Sequence, residues 1–274
     1  MRRGKESYPA GLTMTTTELT TLKKLKQEII KAGAAACEGH LPSALSILDI
    51  LWVLYDRVLN VTPLTVADHD RDRFFLSKGH ASIGLYAVLA KKGFIPFEKL
   101  PTFCGFTSSL GGHPDRNKVP GVEASTGSLG HGFPMAVGAA LGLKVAKSPA
   151  KVFALIGDGE ANEGTVWESA LLAAHHKLDN LTLVVDYNHS TDRALLVGDL
   201  AAKFKAFDWD MSAIDGHDHE AIFSALSNRP KGKPLAVIAT TVKGHGIKSM
   251  EHNPEWHHKA PKPEELAQLL EEAI

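Results

Sequence analysis

Three short apolar blocks, Val152–Ile156, Leu181–Val185 and Leu235–Thr241, each end in turn or charge signals and are separated by stretches of helical spacing. An unbroken apolar block of this length reads as a strand buried on both faces. The stretches between them, Thr165–Leu178, Leu200–Phe207 and His219–Ser227, read as helices. Strands that alternate with helices predict an α/β fold: a parallel sheet with helices on both faces. Upstream, Arg73–Ser77 is a further strand candidate. Helices are expected from Thr20 to about Cys37, where Leu22, Leu25 and Ile29 recur at helical spacing, and over Ser43–Leu59, Ala81–Lys91 and Pro134–Lys147. The stretch from Glu38 to Pro42 reads as a break. Residues 101–132 are rich in Gly, Pro and Ser without a period, and a loop that long in a compact domain is usually functional. Residues 1–17 are expected to form a disordered leader, and 18–274 one domain.

Composition narrows the function. Lys and Arg number 30 against 31 Asp and Glu, so there is no basic surplus of the kind that nucleic-acid binding needs. No apolar run approaches the roughly 20 residues of a membrane helix. The two cysteines, Cys37 and Cys104, are far apart and form no metal or disulfide pattern, which fits a reducing compartment and a cytoplasmic protein.

In a parallel sheet, ligands sit beyond the carboxyl ends of the strands. Val152–Ile156 runs into Gly157-Asp158-Gly159-Glu160. Glycines at that point let backbone approach a phosphate closely. A dinucleotide fingerprint fails here, because Asn162 stands where its third glycine belongs. A carboxylate between the two glycines would repel a bare pyrophosphate. It makes sense with Mg²⁺ between them, an ion that takes one or two protein oxygens together with phosphates and water. Asn188 follows Asp158 by thirty positions, one crossover helix plus one strand, so both emerge at the same sheet edge.

Gly-Asp-Gly followed by that asparagine resembles the cofactor motif of thiamine-diphosphate enzymes, and the chain more narrowly resembles the transketolase family over residues 20–262. The matching words are Gly39-His40, Arg71-Asp72-Arg73-Phe74, Ser77-Lys78-Gly79-His80, Gly112-His113-Pro114, Gly121 to Gly130, and the Gly157 block with Glu163-Gly164. The resemblance implies a diphosphate-binding (PP-type) domain holding thiamine diphosphate and Mg²⁺. Asp158 and Asn188 would bind the metal through side chains, and Ser190 through its carbonyl. His80 and Gly159 would contact the diphosphate, with Gly157 and Glu160 of the same loop set against it. Gly127 and Leu129 would line the cleft, and Asp186 would lie near the aminopyrimidine.

Of fourteen histidines, most read as surface or capping residues. His40, His80 and His113 each follow a glycine in a break between apolar segments. The resemblance puts them at the reacting centre, hydrogen-bonding a ketose donor and moving protons, work that suits an imidazole. It also points to His257, although His258 replaces the glycine that the family carries next. Asp192 is a second departure, a charge where the family has an apolar cover for the cofactor.

The family's single-chain enzymes are more than twice as long. The resemblance therefore implies the N-terminal subunit of a split transketolase that acts on sugar phosphates. A partner chain would carry the pyrimidine-binding domain and its activating acid, in an α₂β₂ assembly with Glu163 at the interface. Two other readings stay open on these residues: a split carboligase or decarboxylase acting on an α-keto acid, as in deoxyxylulose-phosphate synthesis, and a non-catalytic diphosphate-binding paralogue.

Overall fold

The computed structural model describes residues 14–192, 194–227 and 230–274. Its centre is a five-stranded, wholly parallel sheet of β1 (Arg73–Leu76), β2 (Val152–Gly157), β3 (Leu181–Tyr187), β4 (Asp210–Asp215) and β5 (Leu235–Thr240), in the order β1-β2-β3-β5-β4. Side chains alternate between the faces, as the two-residue period of a strand requires. Phe153, Leu155, Val184 and Val237 face one helical layer, and Val152, Ala154, Val185 and Ala236 the other. The first layer holds α1 (Thr16–Ala36), α2 (Leu41–Leu45), α3 (Leu48–Val53), α4 (Ser82–Lys91), α8 (His219–Ser227) and α9 (Pro263–Glu272). The second holds α5 (Gly132–Val145), α6 (Gly164–His175) and α7 (Leu200–Ala206). Among the described residues no helix is long and apolar enough to cross a membrane.

Local chemistry sets the element ends. Thr15 and Glu18 form a reciprocal cap, so α1 begins at Thr16, inside the stretch expected to be a leader. Residues 1–13 of that expected leader lie outside the described residues. Pro42 does not extend the break after Glu38. It sits in the first turn of α2, where its missing N–H costs nothing. Pro134 plays the same part in α5, which starts two residues earlier than expected. The single helix expected over Ser43–Leu59 is α2, α3 and a wide π-type turn over Leu54–Val58.

β4 was not expected from sequence. It is an edge strand with one partner, β5, and its half-exposed DMSAID lacks the apolar run of a central strand. α9, also unforeseen, opens on Pro263 with Glu264 and Glu265 in its first turn and packs on α1.

The start of α5 is pressed against the end of β1. A Cβ on Gly132 would lie 2.6 Å from Ser77 Cα, while Ser77 Oγ accepts the Phe133 N–H at 3.0 Å. Gly132→Ala should therefore destabilise the fold by about 1–3 kcal/mol. Urea unfolding of this variant beside the parent tests that, and an unchanged midpoint would refute the close packing.

Candidate active site

Because every strand is parallel, β1, β2, β3 and β5 send their carboxyl ends to one edge. The loops that leave them enclose a cleft of about 420 Å³. From β1 comes His80, from β2 Gly157, Asp158, Gly159 and Glu160, from β3 Asn188 and Ser190, and from β5 Lys243. His40 enters from the start of α2, His113, Gly127 and Leu129 from the long loop, and His257 from a turn near the chain's end. Most residues singled out in the sequence thus meet in one cavity.

Two do not line it. Asp186 lies beneath the floor with no exposure, and its oxygens are taken by protein. Oδ2 accepts from Lys78 Nζ at 2.5 Å, Ser46 Oγ at 2.9 Å and Asn188 Nδ2 at 2.8 Å, and Oδ1 accepts from the Thr241 hydroxyl. Its place corrects the expectation of direct contact with the cofactor: it orients Asn188 and neutralises Lys78. Burial opposes its charge, but the Lys78 ammonium and these hydrogen bonds hold the carboxyl below the usual range. Glu163 is exposed at the start of α6, outside the cleft and against Gly130.

Glu160 reaches the wall of the cleft but is spent on structure. It accepts from Ser77 Oγ at 2.5 Å and from the N–H groups of Gly130 at 2.8 Å and Gly157 at 3.3 Å. These bonds tie the long loop to the Gly157 turn.

Asp158 is 2% exposed. Its Oδ1 accepts from the Gly159 N–H at 2.8 Å and Ser190 Oγ at 3.3 Å, but its Oδ2 is buried with no partner. Since Asn188 gives its N–H to Asp186, its carbonyl oxygen turns the other way and meets Ser190, whose N–H donates at 3.1 Å. Burial raises the Asp158 carboxyl, with the Asp186 charge adding to it. An orphaned buried carboxylate oxygen beside a second oxygen donor is the donor set that a hard divalent cation takes.

The opposite side is crowded with weakly held positive charge. His40 adopts a left-handed φ of 61° and stands with its ring 5.0 Å from His80, 5.8 Å from His257 and 4.4 Å from His258. Burial, then its histidine and lysine neighbours, push it down to about 4. His80 is lowered by burial and by Lys78, and His257 by burial and by Lys243. Lys243 itself, beside His257 Nδ1 at 2.9 Å, is pushed down to about 8 by burial and by Lys78. Gly39 is required here because a Cβ would lie 2.4 Å from the His258 carbonyl oxygen. Of the adjacent pair His257 lines the cleft, while His258 packs edge-on against His40. Asp192 turns away from the cleft and accepts from His189 Nδ1 at 2.9 Å.

Lys78 and Lys243 were missed as site residues, although both stood in words already singled out. The available signal was position: each lies within three residues of a strand's carboxyl end.

Residues 17–273 match the family described as transketolase, thiamine diphosphate binding domain. The chain is 43% identical over 257 residues to one of the two kinds of subunit of the apulose-4-phosphate transketolase of Actinobacillus succinogenes, covering 91% of this chain and 93% of that protein. It is 38% identical to a 6-deoxy-6-sulfo-D-fructose transketolase subunit of Clostridium sp., covering 85% and 86% respectively. The solved transketolase of Campylobacter jejuni superposes with a TM-score of 0.84 at 32% identity, over 93% of this chain and 42% of that one. The chain thus spans about two fifths of the solved transketolases that it matches.

The lowered pKa of His40 has a consequence for stability. The unfolded imidazole titrates near 6.5 and the folded one near 4, so the unfolded chain binds more protons between those values. The contribution is present above pH 6.5 and is lost as pH falls toward 4. His40→Gln should make the decline of unfolding free energy over that window shallower by up to one proton. Urea titrations across the window measure it, and an unchanged slope would count against a buried neutral His40.

Proposed function

This chain belongs to the transketolase family, as its thiamine-diphosphate-binding domain, and on that premise we propose that it is the cofactor-binding subunit of a two-chain transketolase. It moves a two-carbon ketol unit from a ketose donor, phosphorylated or similarly anionic, to an aldose acceptor. The observation that carries this reading is the orphaned Asp158 Oδ2, set beside the Asn188 and Ser190 oxygens and across the cleft from Lys243. One face of the cleft asks for a cation and the other for an anion, which a metal–diphosphate satisfies together.

The Asp158 and Asn188 side chains and the Ser190 carbonyl hold Mg²⁺. Lys243, His80 and the Gly159 backbone meet the diphosphate, with His257 beside them. Gly127 keeps that wall open, since a Cβ there would lie 3.4 Å from the His113 ring. Thiamine diphosphate, when bound, supplies the nucleophile and the electron sink for carbon–carbon cleavage. His40 and His113 orient the donor's hydroxyls and pass protons. A neutral imidazole donates at one nitrogen and accepts at the other, and the low pKa of His40 keeps it in that form.

The pyrimidine-binding half comes from a partner chain, as it would for the relatives named as subunits. Glu163, exposed at the start of α6, lies at that interface. The exposed apolar Met135, Val145, Leu171 and Leu172 on the neighbouring α5 and α6 support association into a heterotetramer. Above Gly138 and Gly142 a Cβ would meet nothing within 4 Å, leaving room for a closely packed helix. The free Cys37 and Cys104 suit a cytoplasmic setting.

Asp158→Ala should abolish Mg²⁺-dependent binding of thiamine diphosphate, and Asn188→Ala should weaken it less, because a neutral ligand is lost. Calorimetric titration of the reconstituted assembly measures both, and wild-type affinity in Asp158→Ala would exclude the metal assignment.

The isolated chain should show negligible ketol transfer with cofactor and Mg²⁺, and activity should appear when a chain carrying the pyrimidine domain is added. Full turnover without any partner would refute the two-chain reading.

A further inference from the structure

Behind the cleft, Asp49 of α3 is 2% exposed and gathers three histidines. It accepts from His217 Nδ1 at 2.9 Å and His219 Nε2 at 3.1 Å, while His245 Nε2 stands 3.9 Å away. The His245 ring stacks on His217 with centroids 3.6 Å apart. Asp49, His217 and His245 bring ligand atoms within 4.8 Å of one another, close enough to suggest a metal centre.

A backbone group decides against that. The Val242 N–H points at His217 Nε2 at 2.9 Å, and an amide N–H only donates. His217 Nε2 is therefore the acceptor, and the ring's proton sits on Nδ1, donated to Asp49. A metal on Nδ1 would leave the neutral ring's proton on Nε2, facing the Val242 N–H. The cluster is instead a relay from a buried carboxylate through one imidazole to the backbone beside Lys243. Burial opposes the Asp49 charge, but the hydrogen bonds from His217 and His219, with Lys26 nearby, hold it ionised as that relay needs.

Lys243 needs such an anchor. Its ammonium is half-buried near Lys78, and like charge drives it toward solvent. Its loop is held on the other side as well, where the Gly244 N–H donates to the Pro42 carbonyl at 3.0 Å. Thr241, just before Val242, packs so closely on Gly216 that a Cβ there would lie 2.4 Å from its methyl group. The residue before Lys243 and the residue after it are thus both fastened to the layer that carries α2 and α3.

We propose that Asp49 and His217 are a positioning pair that holds Lys243 inside the cleft beside His257, through the hydrogen bond from the Val242 backbone to the His217 ring. What Lys243 is held there to bind rests on the diphosphate reading above; that it is held does not.

Two amide side chains separate the bonds of His217. Asparagine reaches the Nδ1 position and keeps the bond to Asp49, but it falls short of Val242. Glutamine reaches the Nε2 position and keeps the Val242 N–H satisfied. The readout is the titration of the His257 imidazole, followed by NMR in the full chain without ligand, since the Lys243 charge depresses it. Lys243→Ala should move that titration to higher pH. His217→Asn should move it the same way, with loss of exchange protection at the Val242 amide, and His217→Gln should leave both as in the parent. In Lys243→Ala, adding His217→Asn should change His257 no further. An unmoved His257 in His217→Asn would overturn the proposal, as would an additive shift in the double variant. Titration with Mg²⁺ and inorganic pyrophosphate asks the separate question: failure of the parent chain to bind would count against the diphosphate reading, while the His257 shifts still decide the positioning role.

Discussion

At the floor of the cleft a lysine and an aspartate, Lys78 and Asp186, are 2% and 0% exposed and stand 2.5 Å apart. The rest of the site hangs on this pair. Lys78 leaves the end of β1 and also donates to the Ser43 carbonyl in α2, while Asp186 at the end of β3 accepts from Ser46 of α2, from Thr241 just after β5, and from Asn188. Three strands and a helix are thus fastened at one point. A buried ion pair of this kind adds little net stability, but removing either partner leaves an uncompensated charge, at a cost of about 3–5 kcal/mol. Its worth lies in geometry. With its N–H given to Asp186, the Asn188 amide can turn only its oxygen toward the cleft.

Above that floor the site is arranged against its own comfort. Asp158 keeps an oxygen without a partner, His40 is held in a left-handed backbone conformation, and His40, His80, His257 and Lys243 are all disfavoured as cations by burial and by one another. Strain of this kind persists where the surrounding structure over-determines it. Here that structure is the β-sheet edge, Gly39 under the His258 backbone, and the two-sided anchoring of the Lys243 loop. The unpaired carboxylate oxygen and the crowded cations are complementary halves of one requirement, a bound metal with its anionic ligand.

Much of this was legible in the chain because it depends on near neighbours. The apolar blocks announced β2, β3 and β5, and the Gly157 turn with Asn188 one crossover later announced the cation side of the cleft. The same local reading failed where a partner decides the outcome. DMSAID is a strand only because β5 supplies its hydrogen bonds. Pro42 and Pro134 looked like breaks or late starts, yet they open helices because those chains turn into the first helical layer and onto Ser77. Asp186 read as a cofactor contact. Only the fold shows that Lys78, Ser46 and Thr241, separated from it by 108, 140 and 55 positions, have already taken its oxygens.

The order of residues by itself determined the α/β class, the loops that would carry chemistry and most of the side chains that meet in the cleft. Periodicity, glycine placement and strand-end position are properties of short segments, so they survive without coordinates. The tertiary structure alone decided which carboxylate oxygen is left free, which of His257 and His258 faces the cleft, and that Lys243 stands opposite Asp158. It also decided that Asp49 and His217 serve the Val242 backbone and not a metal. Each of these outcomes turns on one donor or acceptor finding its partner across the sheet, where distances of an ångström and the direction of an N–H bond settle what the spacing along the chain leaves open.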